Sequence, residues 1–169
     1  PLMPAVHMNT RFIVTQKQWF GGGADITPTY KNTKQSKDLA KIFHKNLKNA
    51  CDNYKKGCYR KFKKWCDEYF YLPHRKESRG LGGIFYDYLN TNEWDKDFIF
   101  TKNVGLTFIQ TYLKIIELTA RERWNENDKA KQLFRRSRYV EFNLLHDRGT
   151  KYGFITNGNT EAILMSLTH

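Results

Sequence analysis

The stretch VHMNTRFIV, residues 6–14, alternates apolar and polar side chains, and this period of two predicts a β-strand. On such a strand His7, Asn9 and Arg11 share one face, at steps of about 7 Å. They offer an imidazole, an amide and a guanidinium, which together could bind one ligand as proton donor, neutral hydrogen-bonding group and carboxylate clamp. The pattern alone leaves two interpretations open, a binding site or a polar strand face that meets water.

Length and net charge limit the number of domains and the kinds of ligand that this protein can have. The 169 residues fit one domain of about 100–200 residues, so we predict a single domain over 1–169. The net charge of +12 favours an anionic ligand, which could be nucleic acid, anionic lipid or an acidic small molecule. The three cysteines lack CxxC spacing, and we predict reduced, structural thiols.

The first half of the chain outside the opening strand divides into five predicted segments. Three glycines and a proline predict a shaped loop over residues 19–28, and a polar, glycine-rich loop over 72–83 leads into a strand at 84–89. Apolar residues at helical spacing predict amphipathic helices over 36–54 and 59–70.

The second half is predicted to hold helices and then strands. We expect a long helix over 104–124, a short charged helix over 126–135, and a strand over 139–145. A short strand at 152–155, a hairpin turn at Asn157-Gly158 and a returning strand over 160–167 complete this expectation. The order of elements predicts an α+β fold with an antiparallel sheet.

Two charged segments are further candidates for a site. His146 and Asp147 place a base and an acid side by side at the predicted end of a strand, where binding groups often gather, although a turn with a solvated ion pair is the alternative. The basic run over 55–64 could contact phosphates or form a solvated helix face.

The sequence offers little for a metal or for covalent catalysis. His7, His44, His74 and His146 lie in separate predicted elements without HxxxH or HxH spacing, so a metal site would require the fold to bring them together. No GxSxG or Cys–His signature is present in the sequence. We therefore expect no metal.

Four blocks of sequence resemble one family closely. These are VHMNTRF (6–12), WFGGGADITPTY (19–30), LPHRKESRGLGGIFYDY (72–88) and RYVEFNLLHDRGT (138–150). Together, and in this order, they resemble the oxygen-dependent (aerobic) coproporphyrinogen-III oxidase family. The similarity runs nearly from end to end, and we expect the chain to be a fragment covering the middle to late part of a family member, with N- and C-terminal parts absent.

The resemblance implies a fold, an activity and partners. It implies a large antiparallel sheet flanked by helices, a homodimer, and an oxidoreductase of haem biosynthesis. The implied reaction converts two propionates of coproporphyrinogen III to vinyl groups, giving protoporphyrinogen IX, with O2 as co-substrate and no flavin, haem or other cofactor. The implied compartment is the cytoplasm, or a mitochondrion or plastid if an upstream targeting segment has been lost.

Matching the family's motifs also implies residue roles. His7 takes a proton-donor position, Asn9 and Arg11 take substrate-binding positions, and Asp147 and Arg148 match a pair that acts on a pyrrole and a propionate. Asn157, Gly158 and Asn159 occupy a substrate-binding turn, in which Asn159 replaces an arginine of bacterial relatives. His7, His44 and His74 are weak metal candidates by the same matching.

The sequence also allows two rival interpretations. The sequence pI near 9.6 and the basic helix are typical of a nucleic-acid-binding module, whose retention on DNA would fall steeply with salt. Alternatively, the fragment could fold without being active.

Overall fold

The computed structural model describes residues 3–165 and 167. Strands and helices follow one another along the chain in this order: β1 Ala5–Val14, β2 Gln18–Thr27, α1 Lys34–Tyr54, α2 Cys58–Tyr69, β3 Tyr71–Leu72, a 3-10 turn Pro73–Arg75, β4 Glu77–Ser78, β5 Gly83–Leu89, α3 Trp94–Thr119, α4 Glu126–Leu145, α5 Arg148–Ile155 and α6 Thr160–Leu164.

The main sheet of the described residues has three antiparallel strands in the order β1-β2-β5, and β3 pairs with β4 in a separate hairpin. In the β1–β2 register, His7 lies opposite Asp25 and Arg11 lies opposite Gly21. Strand β1 matches the strand predicted over 6–14, and β5 matches that predicted over 84–89. With helices flanking the sheet, the predicted α+β class is confirmed.

Strand β2 contradicts the loop predicted over 19–28. Its glycines are needed for close packing in the middle of the sheet rather than for a turn. A Cβ on Gly22 would lie 2.9 Å from both Asn9 O and Tyr86 Oη, and one on Gly23 would lie 2.8 Å from Ile84 O. The neighbouring strands therefore approach β2 at distances that only glycine allows.

The hydrophobic core lies on one face of this sheet. The predicted amphipathic helices are confirmed as α1 and α2, and the apolar stripe of α1 buries Phe43 and Leu47. From the sheet, Ile84 and Tyr86 are buried in the same cluster, together with Phe100 of α3. Apolar burial of about 1.5–3 kcal/mol per large side chain holds this layer together.

Helix α3 begins ten residues before the helix predicted over 104–124 and ends at Thr119. The early start is held by Asp97, which is buried in the first turn. Its carboxylate accepts hydrogen bonds from the Tyr54 hydroxyl at 2.6 Å and from the Thr91 amide at 2.8 Å. These hydrogen bonds form only in the folded protein. They involve polar groups, so the apolar periodicity of the sequence does not reveal the early start of α3.

The strands predicted over 139–145 and 152–155 are wrong, because residues 126–145 form one continuous helix and 148–155 form another. Helix α4 starts at a capping box in which Asn125 and Asp128 bind each other's backbone amides. The apolar side chain of Phe142 is buried, and the energy of this burial outweighs the β-propensity of Tyr139 and Val140.

The hairpin predicted at Asn157-Gly158 is a turn between two helices instead. Asn157 has a φ of 54°, and the Gly158 amide donates to Gly153 O at 2.8 Å, which ends α5. Asn159 then caps α6, since its side chain accepts from the Ala162 amide at 3.2 Å. Helix α6 replaces the strand predicted over 160–167, of which residue 166 lies outside the described residues.

Two further features concern the described part of the chain. No helix there is both long enough and apolar enough to cross a membrane.

The three cysteines, Cys51, Cys58 and Cys66, carry free thiols, as predicted. Burial raises the pKa of the Cys66 thiol to about 12, which keeps it protonated at neutral pH.

Candidate active site

A cavity of about 740 Å³ lies on the face of the sheet that is turned away from the core. This volume is within the range of about 300–1,000 Å³ typical of ligand pockets. Its walls come from β1, β2 and β5, from the end of α2, and from α4 and α5. All three residues of the predicted β1 row, His7, Asn9 and Arg11, line it, as do Asp147 and Arg148.

His7 is held by contacts on two sides. Its Nδ1 lies 3.1 Å from Asp25 Oδ1, and its ring stacks on Tyr139 with centroids 3.8 Å apart and planes 8° apart. Burial, with the nearby charges of Arg79 and Arg136, lowers the pKa of His7 to about 3. The imidazole is therefore neutral at pH 7 in the substrate-free protein. A neutral ring that donates from Nδ1 to Asp25 keeps Nε2 as a proton acceptor.

Arg79 is the most deeply buried cation of the cavity, with 3% of the residue exposed. Its guanidinium binds the Asp25 carboxylate and lies over the rings of Phe70, at 3.8 Å, and Tyr139, at 4.8 Å. Burial lowers the pKa of Arg79 to about 9, so it stays charged at neutral pH. A buried ion pair of this kind is costly to desolvate and contributes little to stability on its own.

Asp87 joins two of the predicted site residues. Its Oδ1 accepts from Arg11 Nε at 2.9 Å and Nη2 at 2.5 Å, and its Oδ2 accepts from Arg148 Nη2 at 2.8 Å. Arg11 also donates from Nη1 to Asn9 Oδ1 at 2.9 Å. The carboxylate of Asp87 thus connects β1, β5 and α5 across the cavity.

Gly21 makes the pairing of Arg11 with Asp87 possible. It lies between them on β2, and a Cβ there would overlap Asp87 Oδ1 and lie 2.8 Å from Arg11 Nε. A side chain at this position would push the two groups apart.

Asp147 caps helix α5. Its Oδ2 accepts from the Thr150 amide at 2.8 Å, and its Oδ1 accepts from the Tyr69 hydroxyl at 3.0 Å. The two members of the Asp147-Arg148 pair have different partners, because the Arg148 guanidinium binds Asp87 and lies 5.1 Å from the Tyr69 ring centroid. Both residues face the cavity, but they are not paired with each other.

Several predicted candidates lie elsewhere. Asn157, Gly158 and Asn159 form the turn between α5 and α6 and are not among the residues that line the cavity. His44 is held in the core region by the Tyr59 hydroxyl and by Leu81 O, each at 2.9 Å, and His74 binds Glu141 at 2.5 Å. Within residues 3–165 and 167, no group of three or more His, Cys, Asp or Glu side chains is arranged to hold a metal ion.

Sequence reasoning missed Asp25, Arg79 and Asp87 as site residues. All three stand within blocks that carry the family resemblance, but the sequence pattern places Asp25 and Arg79 in predicted loops and Asp87 in a predicted strand, without a binding role for their side chains. Strand register identifies Asp25 as a neighbour of the site, because Asp25 lies opposite His7 on the adjacent strand.

The remaining walls are aromatic. Tyr69 stacks on Phe85 with centroids 4.4 Å apart and planes 9° apart. The aromatic residues of the lining are Trp19, Tyr69, Phe70, Phe85, Tyr88, Tyr139 and Tyr152. Flat apolar surfaces beside three arginines suit a flat apolar molecule that carries carboxylates.

Comparison with known proteins agrees with this chemistry. A family model described as coproporphyrinogen III oxidase matches residues 1–169. The oxygen-dependent coproporphyrinogen-III oxidases of Rickettsia akari (strain Hartford) and Rickettsia bellii (strain OSU 85-389) are 56% and 57% identical to this chain over 167 residues. That of Rickettsia rickettsii (strain Sheila Smith) is 55% identical over the same length.

Each of these alignments covers 99% of this chain and 58% of the relative, so the chain spans less than two thirds of the length of the curated relatives it matches. The family resemblance seen in the four sequence blocks is confirmed by the family model and by these identities. The chain belongs to the coproporphyrinogen III oxidase family.

Proposed function

We propose that the full-length protein that contains this chain is an oxygen-dependent coproporphyrinogen oxidase. It converts two propionates of coproporphyrinogen III to vinyl groups and yields protoporphyrinogen IX, a step of haem biosynthesis. The main support is the placement of Arg11, Arg79 and Arg148 with aromatic walls around one cavity. A porphyrinogen is a flat apolar ring with carboxylates at its rim, which is the chemistry these walls suit.

In this proposal the arginines hold the propionates and the aromatic residues hold the ring. A guanidinium can bind a carboxylate through two parallel hydrogen bonds, which fixes both its position and its orientation. Asn9 adds an amide next to Arg11 on the same strand face. We also propose Asn157, Gly158 and Asn159 as substrate contacts. This requires the turn between α5 and α6 to move toward the cavity when substrate binds.

The chemistry balances with O2 alone as oxidant. Each propionate, –CH2–CH2–COO⁻, loses CO2 and a hydrogen with its electron pair from the carbon next to the ring, which leaves a vinyl group. O2 accepts the two electrons, and with one proton from solvent it leaves as H2O2. No flavin, haem or metal is part of this proposal.

Asp147 and His7 are the proposed proton-handling residues. Asp147 makes one hydrogen bond per oxygen in this structure, and a carboxylate has further lone pairs that can accept a pyrrole N–H. Partial transfer of the pyrrole N–H proton to the Asp147 carboxylate raises the electron density of the pyrrole for its reaction with O2. The neutral ring of His7 offers Nε2 as an acceptor, and a substrate carboxylate bound beside it would raise the pKa of His7 so that it can take up a proton and return it later in the cycle.

The test is an assay of the full-length protein with coproporphyrinogen III in air and under anaerobic conditions. We expect O2-dependent release of two CO2 per substrate, and a product whose fluorescence after oxidation is that of protoporphyrin. Turnover without O2, or no turnover in air by a folded preparation, would contradict the proposal. The same assay on residues 1–169 alone decides whether this part is active by itself.

We also propose a homodimer in the cytoplasm, with porphyrinogen rather than nucleic acid as the ligand. The region over 139–165, which the resemblance implies as the dimer contact, carries exposed apolar side chains on α4–α6, including Ile155 at 80% and Met165 at 81% exposure. Sedimentation of the full-length protein at micromolar concentration should show a dimer. A fully active monomer would contradict this part of the proposal.

A further inference from the structure

Asp87 is a buried carboxylate whose partners are two arginines of the cavity. Only 8% of the residue is exposed, whereas the side chains of Arg11 and Arg148 are 32% and 53% exposed. An exposed arginine side chain samples many rotamers, and its ordering costs conformational entropy. Asp87 fixes both guanidinium groups before any ligand arrives.

We propose that Asp87 is the positioning residue that holds Arg11 and Arg148 in place for a carboxylate of the substrate. This inference rests on the proposed function, because it names the residue that organises the carboxylate-binding groups of that site. It assigns Asp87 no contact with the reacting atoms.

Hydrogen-bond donors remain after this anchoring. A guanidinium has five N–H donors. Arg11 uses three, two toward Asp87 and one toward Asn9, so two remain for a ligand. Arg148 uses one toward Asp87. Both side chains are therefore held in place and still able to bind a carboxylate.

The charge balance points the same way. Two guanidinium cations gathered at one carboxylate repel each other, and the negative charge of Asp87, which binds both, offsets this repulsion. The three groups together keep one net positive charge toward the cavity. A substrate carboxylate is attracted to this charge without having to displace Asp87.

A second arginine-held carboxylate in the same chain serves as a control. Glu77 binds Arg138 at 2.6 Å and Arg135 at 3.2 Å, and none of these three residues lines the cavity. Its chemistry matches that of Asp87, but its place in the fold does not. The comparison of Asp87→Asn with Glu77→Gln separates positioning of the cavity arginines from a general loss of ion pairs.

The first experiment measures steady-state kinetics of the full-length enzyme with coproporphyrinogen III. For Asp87→Asn we expect kcat to fall by roughly 10-fold or more with KM within about threefold of the parent, because the arginines still attract the substrate but hold it in a wrong position. Glu77→Gln should keep both constants. A rise in KM at unchanged kcat, or a lower melting temperature with unchanged kinetics, would overturn the positioning role.

The second experiment does not depend on turnover. Arginines of the substrate-free, full-length protein are modified with phenylglyoxal, and the rate at each site is read by peptide mass spectrometry. We expect Asp87→Asn to speed modification of Arg11 and Arg148 by at least about threefold, whereas Glu77→Gln speeds it only at Arg135 and Arg138. Unchanged rates at Arg11 and Arg148 would refute the inference. If the parent fails to turn over coproporphyrinogen, the proposed function fails, and this measurement still decides the role of Asp87.

Gly21→Ala provides a second variant, in which the Asp87 carboxylate is retained but is pushed away from Arg11. The added methyl group meets the ends of flexible side chains, so we expect the protein to fold with Arg11 displaced from Asp87. Modification should then accelerate at Arg11. Equal rates in Gly21→Ala and the parent would show that Arg11 is not held by Asp87.

Discussion

The two faces of the main sheet are buried to similar degrees by very different side chains. On the core face, Ile84 and Tyr86 are 0% and 1% exposed and pack in an apolar cluster with α1 and α3. On the cavity face, Asp25 and Arg79 are 5% and 3% exposed and bind each other. Burial of apolar area stabilises the first face, while burial of charge makes the second expensive.

This difference indicates that residues that stabilise the fold and residues that serve function lie on opposite faces of the same sheet. Side chains of a strand alternate between its faces, so Ile84 and Tyr86 point to the core while Phe85 and Asp87 line the cavity. One short strand therefore serves both faces. Substitutions on the core face should lower the free energy of unfolding, and substitutions on the cavity face should lower the reaction rate per folded molecule.

The largest expected effect is on the cavity face, for Arg11→Ala. Removal of one partner of a carboxylate–arginine contact costs about 2–5 kcal/mol, and we expect kcat/KM for coproporphyrinogen to fall correspondingly. Folding should change little, because the Arg11 side chain is partly exposed. Kinetics of the full-length enzyme, with a melting curve of the same preparation, check this. A variant as active as the parent would remove Arg11 from the site.

The matching change on the core face is Ile84→Ala. Deletion of a fully buried aliphatic side chain leaves a cavity, and we expect a loss of about 3 kcal/mol in the free energy of unfolding. The rate per folded molecule should stay near that of the parent. Urea unfolding and active-site-normalised kinetics measure the two effects. If the rate drops as much as for Arg11→Ala, the two faces are coupled and the comparison fails.

Asp147→Asn tests a residue that has both a structural and a proposed chemical role. Asparagine is as good an N-cap as aspartate, so the bond from the Thr150 amide and the stability of α5 should survive. An amide does not accept a pyrrole proton, and we expect kcat to fall by roughly 100-fold. Single-turnover rates and melting temperature are measured on one preparation.

The control for this variant is Asn125→Ala, which removes the cap of α4 outside the cavity. It should lower stability by about 1 kcal/mol and keep the rate. If Asp147→Asn keeps a normal rate per folded molecule, as this control does, then Asp147 only braces the helix.

The smallest expected effect concerns pH and His7. Its pKa is lowered in the folded state to about 3, below the ordinary value of 6.5. The unfolded chain therefore binds a proton that the folded chain does not, so stability is present above pH 6.5 and is lost as the pH falls toward 3. Between pH 7 and pH 5 this amounts to about 2 kcal/mol for His7 alone.

His7→Asn removes that dependence and should lose about 2 kcal/mol less than the parent between pH 7 and pH 5. Urea unfolding at the two pH values measures it, with His74→Asn as a variant of a histidine outside the cavity. Equal losses in the parent and His7→Asn would mean that His7 is not held neutral by its surroundings.

Local patterns were enough to predict β1, α1, α2 and β5, because alternation and helical spacing are written into each segment. They failed at β2, since the same glycines that break an isolated strand are what its two neighbours need. They failed again over 139–158, where β-propensity and the Asn157-Gly158 pair predict strands and a hairpin, while a capping box at Asn125 and Asp128 starts a helix. The burial of Phe142 that decides the matter is a property of the whole fold.

The site divides in the same way. His7, Asn9 and Arg11 follow from the period of one strand. Asp25 and Asp87, by contrast, become partners of these residues only through strand register, and no spacing within one segment reveals that. The Asn157–Asn159 turn is the opposite case, since a motif match implies a substrate contact there while the turn lies between two helices and outside the residues that line the cavity.

The three consecutive glycines of β2 have a consequence for how this protein can vary. A scan of all substitutions along β1 should show tolerance that alternates from residue to residue, whereas positions 21–23 should tolerate almost nothing. The damage would nevertheless differ in kind. An added side chain at Gly21 meets the movable groups of Arg11 and Asp87 and should spare the fold, while at Gly23 it meets the backbone oxygen of Ile84 and should prevent the sheet from forming. Expression level and activity, read separately for each variant, would therefore divide one glycine run into a position constrained by catalysis and a position constrained by assembly of the sheet.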